Sequence, residues 1–186
     1  MKDEEYTIKR IETPITEKAI NSLRAGDEVL LSGVIYTARD EAHLKMHKMI
    51  IRGKKLPVDF NNQIVYYCGP TPSGDKIIGS CGPTTSNRMD SFTPELLKSG
   101  LKGMIGKGRR SKGVNSAIKK YGAVYFLAPA GCGAYLSSKV KSAKVVAFQE
   151  LGPEAIFRLE VKNFPLVVGI DSRGKDIYEK RRTRGE

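Results

Sequence analysis

The chain has 186 residues, 40% of them apolar, and its 32 lysines and arginines outnumber its 20 aspartates and glutamates to give a formal net charge of +12. This length suits a single domain, residues 1–186, with a sizeable core and loosely ordered ends at 1–10 and 179–186. The charge favours an anionic partner: a nucleic acid, an anionic metabolite or an acidic protein surface. Since no segment approaches ~18 consecutive apolar residues, we expect no membrane span.

Helical and strand-like patterns alternate along the chain. In order, they predict a helix at 16–23, a strand at 28–36, a helix at 39–52, a short strand at 64–67, an extended segment at 77–80, a helix from Thr93 to a stop at Gly100, a helix at 111–121, a strand at 123–127, a helical segment at 134–140, and extended segments at 145–148, 155–161 and 165–171. The segment at 155–161 is also compatible with some helix. This alternation predicts an α/β layered domain with helices on at least one face of a sheet.

The three cysteines, Cys68, Cys81 and Cys132, have no paired spacing. An odd number without a CxxC pair argues against a disulfide framework and against a self-contained zinc or iron–sulfur site. Residues 1–5 contain no apolar signal region. We therefore expect a reducing, cytoplasmic location, and the role of the thiols stays open.

The segment 79–90, Gly-Ser-Cys-Gly-Pro-Thr-Thr-Ser-Asn-Arg-Met-Asp, is the most informative stretch of the sequence. A Gly-Pro turn followed by Thr84 and Thr85 can open a helix whose free N–H groups point outward. Arg88 follows about one turn later, where a guanidinium can grip a carboxylate or phosphate with two hydrogen bonds. The alternative is an ordinary capped helix with a surface arginine.

A second cluster precedes and begins the helix predicted at 39–52. If Thr37 caps this helix, Arg39 and His43 are four residues apart and share one face. The arginine could fix a carboxylate and the histidine could move a proton near neutral pH. The alternative is a surface arginine beside a partly buried histidine. His43 and His47 also have the spacing of a helical metal pair, but without a third ligand we expect no metal site.

The third cluster is Gly106-Lys107-Gly108-Arg109-Arg110-Ser111, where two glycines let the backbone approach an anion and the lysine between them supplies charge. Its spacing is not that of a Walker A loop, and a basic surface loop is the alternative. Arg39, Arg88 and Lys107 each lie where a predicted strand or a short apolar run gives way to a helix or loop, and such junctions gather at one edge of an α/β sheet. We therefore expect a site for a small polyanion that lacks a complete catalytic apparatus, so that the reactive group comes from elsewhere.

Eight short segments, in order along nearly the whole chain, carry a family resemblance: 31–33, 38–43, 66–70, 82–91, 106–108, 129–132, 150–155 and 161–165. The most specific is Gly-Pro-Thr-Thr-Ser-Asn-Arg-Met at 82–89. With these segments the chain resembles the β subunit, equivalent to the C-terminal domain, of class I iron–sulfur hydro-lyases of the fumarate hydratase and tartrate dehydratase group. Val34 departs from the pattern, because many relatives carry threonine there.

The resemblance implies a swivelling β/β/α layered domain with a mixed sheet. It also implies a partner α subunit, in an α2β2-type hetero-oligomer, that carries a [4Fe–4S] cluster on three cysteines of its own with one iron open to substrate. This chain would then supply no metal ligand and be active only with its partner. The residues that would face a small dicarboxylate substrate are Arg39, Thr84, Thr85, Arg88 and Lys107. Thr84 would abstract a proton, and His43 would be an active-site residue.

The implied reaction is the reversible hydration of fumarate to malate, a step of the tricarboxylic acid cycle. The open iron would act as a Lewis acid, and the cationic residues would hold the carboxylates and stabilise an aci-carboxylate intermediate. The Ala-Arg-Asp-Glu-Ala-His segment at 38–43 favours fumarate over L-tartrate or another hydroxy acid. A basic nucleic-acid-binding domain is a less favoured alternative, because the basic residues gather near glycine turns with no interleaved aromatic pattern.

Overall fold

The computed structural model describes residues 8–180 apart from 73 and 75. In these residues the chain forms strands and helices in the following order: β1 (Lys9–Glu12), α1 (Glu17–Ser22), β2 (Glu28–Thr37), α2 (Asp40–Ile51), β3 (Ile64–Tyr66), α3 (Thr93–Lys98), β4 (Gly103–Gly106), α4 (Lys112–Tyr121), β5 (Val124–Leu127), α5 (Gly133–Ser137), β6 (Val140–Ala147), β7 (Ile156–Ile170) and α6 (Ile177–Lys180). Two short 3-10 helices lie at Ser86–Met89 and Gln149–Glu154.

The strands form a mixed sheet that closes on itself. Strands β1 to β5 pair in parallel in that order, and β7 pairs antiparallel with β2, β5 and β6. Since the 15-residue β7 reaches both β2 and β5, the strands β2, β3, β4, β5 and β7 make a closed ring. The predicted α/β class with a mixed sheet is confirmed.

Alternate residues of the ring strands serve two separate cores, as the pleat of a strand requires. Tyr66 and Phe126 belong to the core inside the ring, to which β7 and β2 contribute most of the strand residues. Tyr67 and Tyr125, one position along, belong to a second core together with residues of α2, α3 and α4. The ring supplies two β layers and the helices a third, which agrees with the β/β/α arrangement that the resemblance implied.

Most predicted elements are present, including the helices at 16–23, 39–52 and 111–121 and the strands at 28–36 and 123–127. The extended segment predicted at 77–80 is wrong, because these residues form bends and irregular backbone. The segments predicted at 155–161 and 165–171 are one continuous strand, β7, with no helix in it. Pro165 does not interrupt this strand, where it pairs with Leu30 of β2.

The expected cap of α2 differs in the structure. Thr37 is fully buried at the end of β2, and its hydroxyl bonds to β7 and the residue before it, donating to Ala155 O and accepting from Phe157 N. It therefore fastens β2 to β7 and does not cap α2. Thr93 is the first residue of α3, and its hydroxyl donates 2.9 Å to Met89 O.

The chain ends are more ordered than expected within the described range. Lys9 and Arg10, which we expected in a loose end, pair with β2, and residues 179–180 lie in α6. The rest of the predicted loose ends, 1–7 and 181–186, lies outside the described residues. In the described part of the chain, no helix combines the length and the apolar character needed to cross a bilayer.

Removing a side chain from the ring interior should cost far more stability than removing the same side chain from the surface. Ile35 is fully buried in the ring core, whereas Ile51 is 68% exposed at the end of α2. We expect Ile35→Ala to lower the free energy of unfolding by about 2–5 kcal/mol through lost burial and a residual cavity. Ile51→Ala should change it by less than about 0.5 kcal/mol. Urea unfolding measures both, and equal losses would contradict the assignment of Ile35 to the core.

Candidate active site

Three adjacent parallel strands end at the same edge of the sheet, and two of the candidate residues, Arg39 and Lys107, follow them. Arg39 comes two residues after β2, Gly69 three residues after β3, and Lys107 directly after β4. Main-chain bonds continue past the strands, from Ala38 N to Tyr66 O (3.1 Å) and from Tyr67 N to Ile105 O (2.8 Å). The three segments therefore lie side by side, as expected for strand ends of an α/β sheet.

The Thr-Thr segment is held between the ends of β3 and β4. Thr84 N donates to Tyr67 O at 2.7 Å, and Thr85 forms an isolated parallel bridge with Lys107. Ser86 N donates to Lys107 O at 3.0 Å, while Ser86 Oγ accepts from Lys107 N at 3.1 Å. Thr84 is half-buried and Thr85 is exposed. The segment leads into only one turn of 3-10 helix, so the longer helix start suggested by the sequence is absent.

Gly106 makes the close approach of these two segments possible. A Cβ at this position would lie 1.9 Å from Ser86 Oγ and 2.9 Å from the Tyr67 ring. Any larger residue would push the Thr-Thr segment away from the end of β4, so the first glycine of Gly-Lys-Gly acts through packing.

Arg39 and Arg88 converge on one carboxylate. Arg88 Nε lies 2.9 Å from Asp40 Oδ1, and Arg39 Nη2 lies 3.7 Å from Asp40 Oδ2. Glu154 Oε1 is 3.6 Å from the same Arg39 nitrogen. The Arg39 side chain is 24% exposed and the Arg88 side chain 51% exposed. The structure thus brings together two arginines that are far apart in the sequence and fixes both by ion pairs.

The cations at this edge retain hydrogen-bond donors that a ligand could use. Among the described residues, Arg39 Nε is buried without a hydrogen-bond partner, and Lys107 makes no ion pair. Arg39 and Arg88 thus face the carboxylates of Asp40 and Glu154, and the backbone of Lys107 lies at the same edge. An anion with a planar carboxylate could bind these donors with charge-assisted hydrogen bonds.

His43 lies beneath Arg39 and does not share its exposed face. The imidazole is 1% exposed, and its Nδ1 lies 2.8 Å from Arg39 O, to which it donates. Nε2 therefore carries the lone pair, and it has no hydrogen-bond partner among the described residues. Burial lowers the pKa of His43 to about 4, so the ring is neutral at pH 7. This geometry favours positioning of the Arg39 backbone over proton transfer, and the catalytic role remains a prediction.

The sequence of this site matches a known family model. The model described as "Fumarase C-terminus" matches residues 1–181. The chain belongs to this family. The protein of Methanocaldococcus jannaschii named "Putative L(+)-tartrate dehydratase subunit beta" is 44% identical over 95% of this chain and 92% of its own length.

Two further relatives are longer proteins. The "Putative fumarate hydratase class I" of Geobacillus stearothermophilus is 35% identical over 95% of this chain but only 35% of its own length. The "Fumarate hydratase class I, anaerobic" of Escherichia coli is 41% identical over 81% of this chain and 28% of its own length. The chain therefore spans about a third or less of these two fumarate hydratases. The enzymes named in all three relatives are hydro-lyases.

Several residues of this Fumarase C-terminus chain escaped the sequence reasoning. Asp40 and Glu154 lie inside segments that carry the family resemblance, and that position was the signal that could have found them. The sequence places Arg110 in a basic surface loop, yet its side chain is fully buried against Asp90. No local pattern indicated this burial, because Asp90 is 20 residues away in the sequence.

The cysteines of this chain do not form a cluster site. Cys68 and Cys81 are buried in the core of the ring, and Cys132 is half-buried in the loop before α5. The hydrogen bond with Cys81, together with burial, raises the pKa of the Cys68 thiol, which opposes the thiolate that a metal needs. Within residues 8–180 as described, no three His, Cys, Asp or Glu side chains group closely enough to hold a metal ion. The described residues therefore do not fit an iron–sulfur cluster.

The buried His43 should make folding stability fall at mildly acidic pH. Its pKa is lowered from 6.5 to about 4 in the folded chain, so between these values the unfolded chain binds more protons. Stability is then fully present above pH ~6.5 and lost as the pH falls toward ~4, with a loss of roughly 2 kcal/mol by pH 5. Urea unfolding at pH 7.5 and pH 5 measures this difference.

The variant His43→Gln should reduce the stability difference between the two pH values by about 2 kcal/mol. The matched control is His47→Gln, since His47 is the other histidine and is partly exposed beside Glu95. The control should keep the wild-type difference. An unchanged pH dependence in His43→Gln would contradict the neutral, buried state of this imidazole.

Proposed function

We propose that this chain is the β subunit of an iron–sulfur-dependent fumarate hydratase and binds the substrate carboxylates during the reversible hydration of fumarate to malate. The observation that carries the proposal is the convergence of Arg39 and Arg88 on Asp40, at the strand edge where Lys107 and Thr84 also lie. Membership of the Fumarase C-terminus family supports a hydro-lyase reaction at this edge.

The cations suit the charge changes of this reaction. In the dehydration direction, a proton leaves the carbon next to a carboxylate, negative charge spreads onto that carboxylate, and hydroxide then leaves the neighbouring carbon. Arg39 and Arg88 can hold carboxylates through their planar forks, and Lys107 can stabilise the added charge. Because Asp40 and Glu154 already fix Arg39, little reorganisation is needed when the charge develops.

Thr84 is a better candidate than His43 for the group that abstracts the proton. Thr84 is half-buried at the edge, and its backbone N–H donates a hydrogen bond to Tyr67 O. A hydroxyl is a weak base at neutral pH, so its deprotonation would require the positive field of the neighbouring cations. His43 is 1% exposed, and its Nδ1 is engaged by Arg39 O, so it does not reach this edge.

We place the [4Fe–4S] cluster on a partner α subunit, in a hetero-oligomer of the α2β2 type. The cluster would supply Lewis-acid chemistry at the substrate hydroxyl, which the residues described for this chain do not provide. Support comes from the M. jannaschii relative, which is named as a beta subunit and is nearly coextensive with this chain. The fumarate hydratases are about three times as long, and their additional length could supply what a partner supplies here. We also place the enzyme in the cytoplasm, supported by the unpaired cysteine spacing.

A second candidate is the β subunit of an L(+)-tartrate dehydratase. The observation in its favour is the name of that same M. jannaschii relative, which is 44% identical to this chain. Both substrates are small dicarboxylates, and the arginines and the lysine serve either one. The 38–43 segment favours fumarate, and a substrate panel decides between the two.

Reconstitution tests the subunit assignment. The purified chain alone should bind no iron and show no hydratase activity, whereas an anaerobic mixture with the α subunit co-purified from the native host should act on fumarate or L-malate. The panel includes L(+)-tartrate and other hydroxy acids, with activity followed by absorbance of the unsaturated acid. The α subunit alone is the control. Full activity of this chain without any partner would overturn the proposal.

Removing either converging arginine should impair the reconstituted enzyme. We expect Arg39→Ala and Arg88→Ala each to lower kcat/KM by on the order of 10²-fold, because a carboxylate loses a charge-assisted, preorganised donor. The matched control is Arg52→Ala, an exposed arginine at the other end of the 12-residue α2, which should stay near the wild-type rate. Urea unfolding checks that all three variants fold. A near wild-type rate for Arg88→Ala would remove this residue from the site.

A further inference from the structure

One cation near the site is completely buried. The Arg110 side chain is 0% exposed, although it follows Lys107 by only three residues in a loop rich in basic residues. Burial of an arginine is costly unless every donor finds a partner. The partners of this guanidinium are therefore informative about what it holds in place.

The guanidinium of Arg110 has a partner on each nitrogen. Nε donates to Asp90 Oδ1 at 2.7 Å, Nη2 donates to Thr93 Oγ1 at 2.7 Å, and Nη1 lies 3.4 Å from Tyr67 Oη. Two aromatic rings also flank the guanidinium. Its Cζ atom lies 5.3 Å from the centroid of the Tyr67 ring and 5.0 Å from that of the Tyr125 ring. Only a planar fork with several donors satisfies these groups at once.

These contacts hold together two segments that carry candidate substrate-binding residues: the Thr-Thr segment, residues 84–88, and the Gly-Lys-Gly turn, residues 106–108. Asp90 directly follows the 3-10 helix that contains Arg88, and its second oxygen accepts from Ser111 N at 2.6 Å. The Tyr125 hydroxyl lies 2.9 Å from Ser86 Oγ and 3.0 Å from Gly108 O. The residues beneath the edge therefore tie the Thr-Thr segment to the Gly-Lys-Gly turn.

We propose that Arg110 is a positioning residue of this enzyme, which fixes Thr84, Thr85 and Arg88 relative to Lys107 through Asp90 and the two tyrosines. Arg110 is buried below these residues and does not contact the substrate. Its ion pair with Asp90 connects the residue after the 3-10 helix that contains Arg88 to the loop that follows the Gly-Lys-Gly turn. The kinetic consequence of this proposal rests on the proposed function, whereas the structural consequence does not.

The test compares Arg110→Lys with Arg109→Lys. Lysine keeps the charge but cannot reach Asp90, Thr93 and Tyr67 together. Arg109 is the matched control, because it is the adjacent residue and is exposed, with its guanidinium over the Tyr178 ring. If Arg110→Lys does not fold, Asp90→Asn replaces it, since this variant removes the paired charge with almost no change in shape.

The first measurement is amide hydrogen exchange in the full chain. The amides of Ser86 and Lys107 are hydrogen-bonded between the two segments, and the Thr84 amide donates to Tyr67 O beneath them. We expect the exchange of all three amides to accelerate at least about 10-fold in Arg110→Lys. The Val168 amide, bonded to Asp27 O across the sheet, is a reference outside the two segments and should exchange as in the wild type. Arg109→Lys should leave all four amides unchanged.

The second measurement is kinetics of the two-subunit enzyme. Arg110→Lys should raise KM for the dicarboxylate and lower kcat, with kcat/KM reduced at least about 10-fold, whereas Arg109→Lys should stay within about 2-fold of the wild type. Unchanged exchange at the three amides would overturn the proposal. Faster exchange with unchanged kinetics would also overturn it, because Arg110 would then serve only the fold.

If the wild-type subunits together act on no substrate of the panel, the proposed function fails. The exchange measurement then decides by itself whether Arg110 holds the two segments. Faster exchange at Thr84, Ser86 and Lys107 with an unchanged Val168 amide supports that role, and any other pattern overturns it. A failure of the proposed function and a failure of the role proposed for Arg110 therefore give different results.

Discussion

The main-chain hydrogen bonds that set β2, β3 and β4 parallel and adjacent are the constraint on which the candidate site depends. Because the three strands run in the same direction, their carboxyl ends deliver Arg39, Gly69 and Lys107 to one edge. The long β7 closes the ring by pairing with β2 along most of its length. Closure buries the inner core on all sides and leaves little freedom for the strand ends to shift relative to one another.

Electrostatics then decides what this edge can do. Asp40 and Glu154 hold Arg39 in place, and Asp40 also holds Arg88, so the arginines are oriented by fixed negative charges before any ligand arrives. Beneath them, the protein keeps His43 neutral, because an imidazolium buried at this depth would be poorly solvated. It keeps Arg110 charged by surrounding it with an ion pair, a hydroxyl and two aromatic rings. The surface charges suit binding of an anion, while the buried polar groups suit support of the backbone.

The contrast between His43 and Arg110 shows where sequence reasoning about single residues is weakest. Both were assigned from local patterns: His43 from its spacing to Arg39, and Arg110 from the basic residues around it. Helical spacing sets the direction of a side chain along the helix surface, but whether that surface is exposed depends on what packs against it. Tyr67 and Phe92 cover His43, and Asp90 attracts Arg110 inward. Neither covering group is near its target in the sequence, so no local pattern reports it.

The sequence by itself determined most elements, the mixed α/β class and the three cationic junctions, because apolar periodicity, capping residues and glycine stops act over a few residues. The family resemblance came from the same local segments. Only the tertiary structure decided that 155–171 is one strand closing the ring, that Thr37 fastens β2 and does not cap α2, and that Asp40 joins Arg39 to Arg88. These features depend on strand pairing, hydrogen bonds and ion pairs between residues that are mostly distant in the sequence; the hydrogen bond between Thr37 and Phe157, for example, joins residues 120 positions apart. Such contacts form only when the whole chain has packed, and residue spacing does not encode them locally.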